Sequence, residues 1–354
     1  MRRAVDSAEP AAEHARLGRA FALATLSVLA GAIALAQPRG VSRNPSPAVP
    51  EAAVRLLQVR PNIYMLSAGG ANVTVQLGKN GVLLVDAPPP EFAQPALAEI
   101  AKLSVVPIRY VVSTSDAREH IAGNEQVAAL GQAVGAPLQG PGANPVLLGS
   151  AQGMTILAHE NVLNRLTQAT AAAVPRSVLP TSEYYEPTKD FSFNGEPIIV
   201  YHMPKAHSDG DSIVLFRSSD VISAGDVFTP DRYPNIDRSR GGSVQGVIVA
   251  LNSILAMTVP EAFAEGGTKV IPGHGRLSEE IDVVEYRDMV VIVTDRISDL
   301  IAKGQTLEQV QAARPTLDYD VEYYNPAVAP STFVAAVYSS LERADPSGGN
   351  GERN

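Results

Sequence analysis

The sequence contains no cysteine among its 354 residues. This absence excludes disulfide bonds, thiolate ligands for a metal ion, a cysteine nucleophile and the cysteine-linked lipid of a bacterial lipoprotein. An excess of basic residues is also missing, because 28 Lys and Arg residues stand against 37 Asp and Glu residues, for a formal net charge of -9. Nucleic-acid binding depends on clustered Lys and Arg side chains, so no nucleic-acid partner is expected.

Two common catalytic motifs are missing as well. No serine stands in a Gly-x-Ser-x-Gly context, which argues against a serine hydrolase built around a nucleophile elbow. The glycine pair at residues 140–142 is not followed by the Lys-Ser/Thr of a phosphate-binding loop, so no nucleotide site is expected there. With 45% hydrophobic and 18% charged residues, the composition is otherwise that of a globular protein with a core to bury.

The N-terminal region has the pattern of an export signal. A basic lead that includes Arg16 and Arg19 precedes an uncharged apolar run over residues 20–36, which ends in Ala34-Leu35-Ala36. The small-x-small ending is typical of a signal-peptidase site, so residues 1–36 are predicted to be the signal peptide of a periplasmic or secreted protein. The alternative is an uncleaved membrane anchor, for which the run is at the short limit of the length that crosses about 30 Å of hydrocarbon.

The rest of the chain is predicted to form one domain between two polar segments. Residues 37–55 are rich in proline and are predicted to be a linker. Residues 56–342 contain strand and helix patterns, whereas residues 343–354 are polar, glycine-rich and predicted to be disordered. This order of strands and helices favours an α/β (α+β) fold of two sheets with helices outside. Strands are predicted at 72–77, 82–85, 110–114, 155–158, 191–193, 197–203, 212–216, 221–223 and 269–271, helices at 90–102, 124–133, 247–257 and 281–302, and a loop at 172–190.

Polar residues with metal-binding or catalytic potential follow several of the predicted strands. Asp86, His120, His207, Asp226 and His274 each lie in a loop after a strand. Loops at strand ends on a rigid scaffold are common places for functional sites. Three of these residues are among only six histidines in the chain, so the pattern predicts one site that these loops build together.

The motifs around these residues resemble those of the metallo-β-lactamase superfamily. Their order and spacing match over roughly residues 63–276, and residues 232–243 resemble a hydrolase branch of that superfamily. The resemblance implies a four-layer αββα sandwich, here with a C-terminal helical extension. No single motif carries it; the matching segments are residues 71–73, 83–86, 111–114, 123–124, 206–212, 224–226 and 271–275.

One motif departs from the family pattern. The metal loop of the family is Thr-His-x-His-x-Asp-His, and it aligns here with residues 114–120. Ser115 and Ala117 stand at the first two histidine positions, Glu119 stands at the aspartate position, and only His120 matches. The resemblance therefore implies that one of the two usual metal ions has lost most of its ligands.

The remaining ligands are divided unequally between the two metal ions of the family. By the resemblance, the first ion keeps only His207 and Asp226, whereas the second keeps donors at all four positions, Glu119, His120, Asp226 and His274. Zn²⁺ rarely binds through two protein ligands and is well held by three or four. The sequence thus predicts a single ion, most simply Zn²⁺ with Mn²⁺ or Fe²⁺ as alternatives, and leaves His207 as a further candidate ligand.

The predicted function is a metal-dependent hydrolase that acts on the carbonyl of a small-molecule ester, lactone, thioester or amide. Glu119 or Asp116 is predicted to orient or deprotonate the attacking water, and His207 to contact substrate. Asp86 is predicted to be structural. Because four protein ligands close a zinc shell and catalysis needs an open position, either Glu119 stays off the ion or the coordination expands. Two alternatives remain open: an inactive relative that binds a ligand or partner in the same cleft, and a purely structural metal site.

Overall fold

The computed structural model describes residues 54–131, 154–168, 175–263 and 266–342. The predicted signal peptide, all but the last two residues of the predicted linker, and the predicted disordered tail lie outside these residues. Within them the chain forms two mixed β-sheets with helices on both outer sides. None of the described helices is long and apolar enough to cross a membrane.

The first sheet has seven strands in sequential order. Its first four strands are antiparallel and the last four, from β4 onward, are parallel, so the carboxyl ends of β4, β5 and β6 lie at one edge. A turn that contains Asn80-Gly81 joins β3 to β4, where Gly78 pairs with Gly81. The strands are β1 (Arg55–Arg60), β2 (Ile63–Ala68), β3 (Ala71–Gly78), β4 (Gly81–Val85), β5 (Ile108–Val112), β6 (Thr155–His159) and β7 (Ser182–Tyr184).

The second sheet has six strands in the order β13-β12-β11-β10-β9-β8. Neighbouring strands are antiparallel except β11 and β12, which are parallel and therefore end at the same edge. The strands are β8 (Thr188–Phe193), β9 (Glu196–His202), β10 (Ser212–Phe216), β11 (Val221–Gly225), β12 (Lys269–Pro272) and β13 (Ser278–Glu279).

Helix ends coincide with local signals in the sequence. Ser243 caps α5 by accepting a hydrogen bond from the Gly246 N–H, and Thr306 begins α7 with a capping box. The helices are α1 (Pro90–Ala101), α2 (Arg118–Ile121), α3 (Asn124–Gly131), α4 (Glu160–Gln168), α5 (Val244–Met257), α6 (Glu280–Ala302), α7 (Leu307–Ala312), α8 (Asp320–Tyr323) and α9 (Pro330–Glu342). A 3-10 turn lies at Arg238–Arg240.

Three hydrophobic clusters divide the domain into four layers. Adjacent residues of β4 point to opposite faces, so Leu83 packs between the two sheets and Leu84 packs with Leu97 of α1 on the outer side of the first sheet. Because both faces are covered, this strand is apolar throughout. On the outer side of the second sheet, Ile222 packs in a cluster that also contains Phe333 of α9. The layers are therefore αββα, and the C-terminal helices extend the last layer as predicted.

The predicted loop at residues 172–190 is wrong in part. It contains β7 and the start of β8, each at the edge of a sheet. Thr188, Lys189 and Asp190 of β8 are all exposed, so this strand lacks the alternation of apolar and polar residues that marks a half-buried strand. Edge strands with charged residues are a common protection against pairing with another chain, and they leave little signal in the sequence.

Candidate metal centre

The residues predicted to form a site meet at one edge of the sandwich. Asp86 follows β4, and His120 lies on α2, which follows β5 in the first sheet. Asp226 follows β11 and His274 follows β12, so these two residues come from the parallel pair of the second sheet. The carboxyl ends of strands from both sheets thus bring together side chains that are up to 188 residues apart in the sequence, from Asp86 to His274.

Close backbone contacts fix this edge. The Ser212 N–H donates to the carbonyl of Thr114 at 2.7 Å, and the Asn72 N–H donates to the carbonyl of Gly273 at 2.8 Å. Gly225 has a φ of +50°, and a Cβ on it would lie 2.5 Å from the Oγ1 of Thr114. Glycine is therefore required where β11 passes the loop after β5.

Three of the predicted ligands form one compact cluster. The ligand atoms of His120, Asp226 and His274 all lie within 4.8 Å of one another. Nε2 of His120 is 3.0 Å from Oδ1 of Asp226, and Nε2 of His274 is 3.4 Å from the same oxygen. All three side chains are largely shielded from solvent, with that of His120 completely buried.

The second ring nitrogen of each histidine in the site faces an oxygen. Nδ1 of His120 lies 3.0 Å from Oδ2 of Asp86, and Nδ1 of His274 lies 2.7 Å from the carbonyl oxygen of Gly70. Nδ1 of His207 lies 2.6 Å from the carbonyl oxygen of Asn235. The two carbonyl oxygens only accept hydrogen bonds, so Nδ1 carries the proton in the neutral rings of His274 and His207, and Nε2 keeps its lone pair. His120 has a carboxylate oxygen 3.0 Å from each ring nitrogen, so its Nε2 has a free lone pair when the ring is neutral with its proton on Nδ1. This is the arrangement that metal-binding histidines adopt.

Asp86 supports the cluster from behind, which confirms its predicted structural role. Its carboxylate accepts hydrogen bonds from the N–H of Thr114 at 2.7 Å and from the Thr114 hydroxyl at 2.8 Å. The same carboxylate faces His120. Asp86 thus links the start of the metal loop to the ring orientation of its histidine.

His207 faces the other oxygen of Asp226. Its Nε2 lies 3.9 Å from Oδ2 of Asp226, beyond hydrogen-bond distance. Oδ2 is buried and has no hydrogen-bond partner among the described residues. Nε2 of His207 and Oδ2 of Asp226 are thus two acceptors separated by a gap in which one donor group could contact both. Without such a donor, the buried and unpaired carboxylate oxygen destabilises the fold.

The electrostatics of the cluster favour a positive charge at its centre. Burial alone would lower the pKa of His120, but the carboxylates of Asp226 and Asp86 outweigh this effect and raise the pKa of His120 well above its ordinary value. Burial would raise the pKa of Asp226, but His120, His274 and His207 hold the pKa of that carboxyl well below its ordinary value. Asp226 is therefore ionised and attracts a cation.

The structure does not bring Glu119 and Asp116 into this cluster. Glu119 is exposed on α2, because it precedes the buried His120 by one residue and adjacent helical residues point about 100° apart. Asp116 is buried, but its carboxylate pairs with Arg165 at 3.0 Å and lies 3.6 Å from Arg240. The sequence-based roles of Glu119 as ligand and of either carboxylate as base therefore receive no support from the geometry.

Sequence reasoning missed the two arginines around Asp116. Arg165 lies on α4, outside the matching segments, and Arg240 lies in the 3-10 turn, within residues 232–243, where the resemblance gave it no role. The only signal in the sequence is that Asp116 is a carboxylate in a loop that must be buried near the site. That observation predicts a basic partner without saying which residue supplies it.

Neither a family model nor a curated protein matches the amino-acid sequence. Solved structures do match the fold. The stereoselective inverting sec-alkylsulfatase from Pseudomonas sp. matches with a TM-score of 0.61 and 18% identity, over 83% of this chain and 52% of the sulfatase. The present chain therefore spans about half the length of that structure.

Two metallo-β-lactamases match over nearly their whole length. The enzyme from Pontibacter korlensis matches with a TM-score of 0.51 and 12% identity, over 67% of this chain and 99% of its own. The DIM-1 enzyme matches with a TM-score of 0.50 and 15% identity, over 69% of this chain and 98% of its own. Together with the two sheets and their outer helices, these matches show that the chain has the metallo-β-lactamase fold.

Proposed function

We propose that this chain is a metal-dependent hydrolase with a single ion held by His120, Asp226 and His274. The observation that carries the proposal is the convergence of two imidazole Nε2 atoms on one buried carboxylate oxygen, with each Nδ1 anchored on an oxygen. Since Glu119 is exposed and outside the cluster, the ion has three protein ligands. Three ligands leave an open position, which distinguishes a catalytic zinc site from a closed structural one.

The donor set fits a borderline divalent ion. Two imidazoles and one carboxylate, without sulfur, suit Zn²⁺, with Mn²⁺ and Fe²⁺ as alternatives. The ionised carboxylate of Asp226 and its partner-free Oδ2 are what a cation would satisfy. When bound, such an ion supplies Lewis acidity, which polarises a carbonyl and acidifies water.

His207 is the residue best placed to handle protons. Its Nδ1–H is fixed on the Asn235 carbonyl, so its Nε2 can accept a proton from a group between the ring and Oδ2 of Asp226. Burial would lower the pKa of His207, but Asp226 and then Asp211 outweigh it and raise that pKa. In this proposal His207 replaces Glu119 and Asp116 as the acid–base group.

The proposed substrate is a small molecule with an ester, lactone, thioester or amide carbonyl. Support for a hydrolase comes from the fold, since the structures that match it include a sulfatase and two β-lactamases. We also propose that the chain is exported, on the basis of the apolar run and small-x-small ending at residues 20–36. Sequencing the N-terminus of the exported protein tests this, with Gln37 expected as the first residue.

Elemental analysis and turnover of the purified mature chain test the function. We expect about one ion per chain, lost in His274→Ala and retained in His202→Ala, which removes a histidine outside the cluster. On a panel of esters, lactones, thioesters, amides and an alkyl sulfate, we expect turnover of a carbonyl substrate that is abolished by chelation and restored by Zn²⁺. Turnover that survives both chelation and His274→Ala overturns the proposal. One bound ion without turnover on any member of the panel overturns the hydrolase assignment and leaves ligand binding or a structural metal.

A further inference from the structure

One arginine contacts three separate segments of the chain beside the metal centre. Nε of Arg165 lies 3.0 Å from Oδ2 of Asp116, and its Nη2 lies 2.7 Å from Oδ1 of Asp209. Its Nη1 donates to the carbonyl oxygen of Arg240 at 3.1 Å. A single planar guanidinium on α4 thus joins the loop after β5, the loop after β9 and the 3-10 turn. The contact with Arg240 is a hydrogen bond and the two contacts with carboxylates are ion pairs, which a planar, always charged guanidinium can make at the same time.

Two of these segments hold the backbone of His207. Asp209 lies two residues after His207, and its N–H donates to the same Arg240 carbonyl at 2.9 Å. At the other end of the turn, the N–H of Asp237 donates to the carbonyl of His207 at 2.8 Å. The carbonyl of Asn235 then fixes Nδ1 of the ring. The orientation of His207 therefore depends on the position of this turn, which Arg165 ties to α4.

The fit of α4 against these segments is close. Asn161 of α4 donates through its Nδ2 to the carbonyl of Asp209 at 2.9 Å. A Cβ on Gly210 would lie 2.8 Å from Nη2 of Arg165, and a Cβ on Gly242 would lie 2.1 Å from the carbonyl oxygen of His207. Neither position has room for a larger residue unless the packing shifts. Helix α4 therefore packs closely against the segments that hold the backbone of His207.

We propose that Arg165 is a positioning residue that acts through His207 and holds its imidazole opposite Oδ2 of Asp226. None of the contacts of Arg165 described above involves His120 or His274. Of these contacts, the one with Asp116 reaches the metal loop, four residues before His120. The other two, with Asp209 and Arg240, reach the segments that hold His207. The proposal rests on the proposed function, since it assigns His207 a role in turnover.

Kinetics of the Zn²⁺-loaded protein provide the first test, with the ester that the wild-type chain hydrolyses fastest. We expect Arg165→Met to lower kcat by about 100-fold, the size of effect typical of a lost acid–base group, with KM changed by less than about threefold. Arg165→Lys, which keeps the charge but not the fork, recovers part of this loss. The matched control is Arg287→Met on α6, because Arg287 is also partly buried and paired, with Asp288 at 2.7 Å. It leaves kcat unchanged.

A double-mutant cycle tests the route through His207. If Arg165 acts through this histidine, Arg165→Met in a His207→Ala background lowers kcat by less than about twofold further. If Arg165→Met lowers kcat by the same factor in the His207→Ala background as in the wild-type chain, the proposal is overturned. So does a Zn²⁺ affinity that falls in Arg165→Met by more than about tenfold, because the arginine would then hold the metal ligands themselves.

A readout without turnover separates this proposal from the hydrolase assignment. Imidazole ¹H–¹⁵N spectra report the Nδ1 proton of His207, which is protected from water by the Asn235 carbonyl. We expect its exchange to accelerate at least about tenfold in Arg165→Met and not in Arg287→Met. If Arg165→Met fails to fold, Asp209→Ala removes the Nη2 partner at a half-exposed side chain and must give the same acceleration. An unchanged exchange rate in every variant that folds overturns the proposal, even in a protein without activity.

Discussion

Nε2 of His120 lies 3.0 Å from Oδ1 of Asp226, and both side chains are buried. His120 lies on α2, after β5 of the first sheet, and Asp226 follows β11 of the second. With Nδ1 of His120 facing Asp86, the imidazole stands between two carboxylates. A positive charge is required there, and either a proton on His120 or a metal ion can supply it. The two compete for the same Nε2 lone pair.

This competition predicts that metal affinity rises with pH. The pKa of His120 is raised by Asp226 and Asp86, so below that raised value a proton must leave before an ion binds. We expect the apparent Kd for Zn²⁺ to fall by up to about tenfold per pH unit from pH 6 to 8, for one displaced proton. Competition with a chromophoric chelator at each pH measures it. A Kd that stays constant over this range contradicts the prediction.

Replacing Asp86 by Asn is expected to weaken metal binding without removing a ligand. The amide keeps the hydrogen bond from the Thr114 N–H but loses the charge that orients His120. Changes of this kind cost about 10- to 100-fold in metal affinity. Calorimetric titration with Zn²⁺ measures the loss, and Asp190→Asn on the exposed edge strand β8 is the control. An affinity equal to that of the wild type shows that Asp86 serves only the backbone.

Glu119→Gln distinguishes the ligand set that the motif predicts from the three-residue cluster in the structure. The motif makes Glu119 a ligand, whereas the structure leaves it exposed on α2. We expect the variant to bind Zn²⁺ within about twofold of the wild-type affinity, since the three-residue cluster already provides a catalytic ligand set. His120→Gln, at the next position, abolishes binding in the same assay. A large loss in Glu119→Gln means that the loop rearranges around the ion.

A second pair of histidines predicts how stability depends on pH. His159 stacks on His202 with ring centroids 3.6 Å apart, and its Nδ1 accepts a hydrogen bond from the Asn161 N–H. Burial, and then the neighbouring His202, lower the pKa of His159 to about 4, whereas it is about 6.5 in the unfolded chain. The unfolded chain binds the extra proton, so this contribution to stability is complete above about pH 6.5 and is lost as the pH falls towards 4.

His159→Gln tests this assignment. The Gln side chain keeps an acceptor and cannot titrate, so we expect the free energy of unfolding to fall less steeply between pH 6.5 and 4 than in the wild-type chain. Urea unfolding at a series of pH values gives both slopes. Equal slopes mean that other groups account for the acid sensitivity.

Gly225→Ala is expected to lower the free energy of unfolding by about 2 kcal/mol or more. The new Cβ would meet the Thr114 side chain and would also require a positive φ. Gly195→Ala is the matched control, because Gly195 has a φ of +81° but no atom within 4 Å of the added Cβ. It is expected to cost about 1 kcal/mol from backbone strain alone. The difference between the two variants in urea unfolding isolates the steric contact, and equal losses contradict it.

The sequence was informative where spacing and strand pattern agree. His120, Asp226 and His274 were predicted from their places after strands and from motif matches, and the structure brings them together. The covered faces of β4 produced a clear apolar run. The edge strand β8 produced none, because its outer residues face water.

The side chains around the loop at residues 114–120 could not be predicted in the same way. Whether Glu119 or His120 faces the site depends on where α2 begins, and a one-residue shift changes the outcome. The partners of Asp116 come from α4 and the 3-10 turn, so their contact depends on tertiary packing that no local pattern records.

The cluster draws His120 from the side of the first sheet and Asp226 and His274 from the second. An ion bound by all three would link the two halves of the sandwich. The amides of Asn72 and Ser212, which bridge the halves at this edge, would then open to solvent mainly when the ion leaves. The frequency of local opening at this edge would then depend on the concentration of free metal around the protein. Hydrogen exchange at these two amides would therefore measure metal availability.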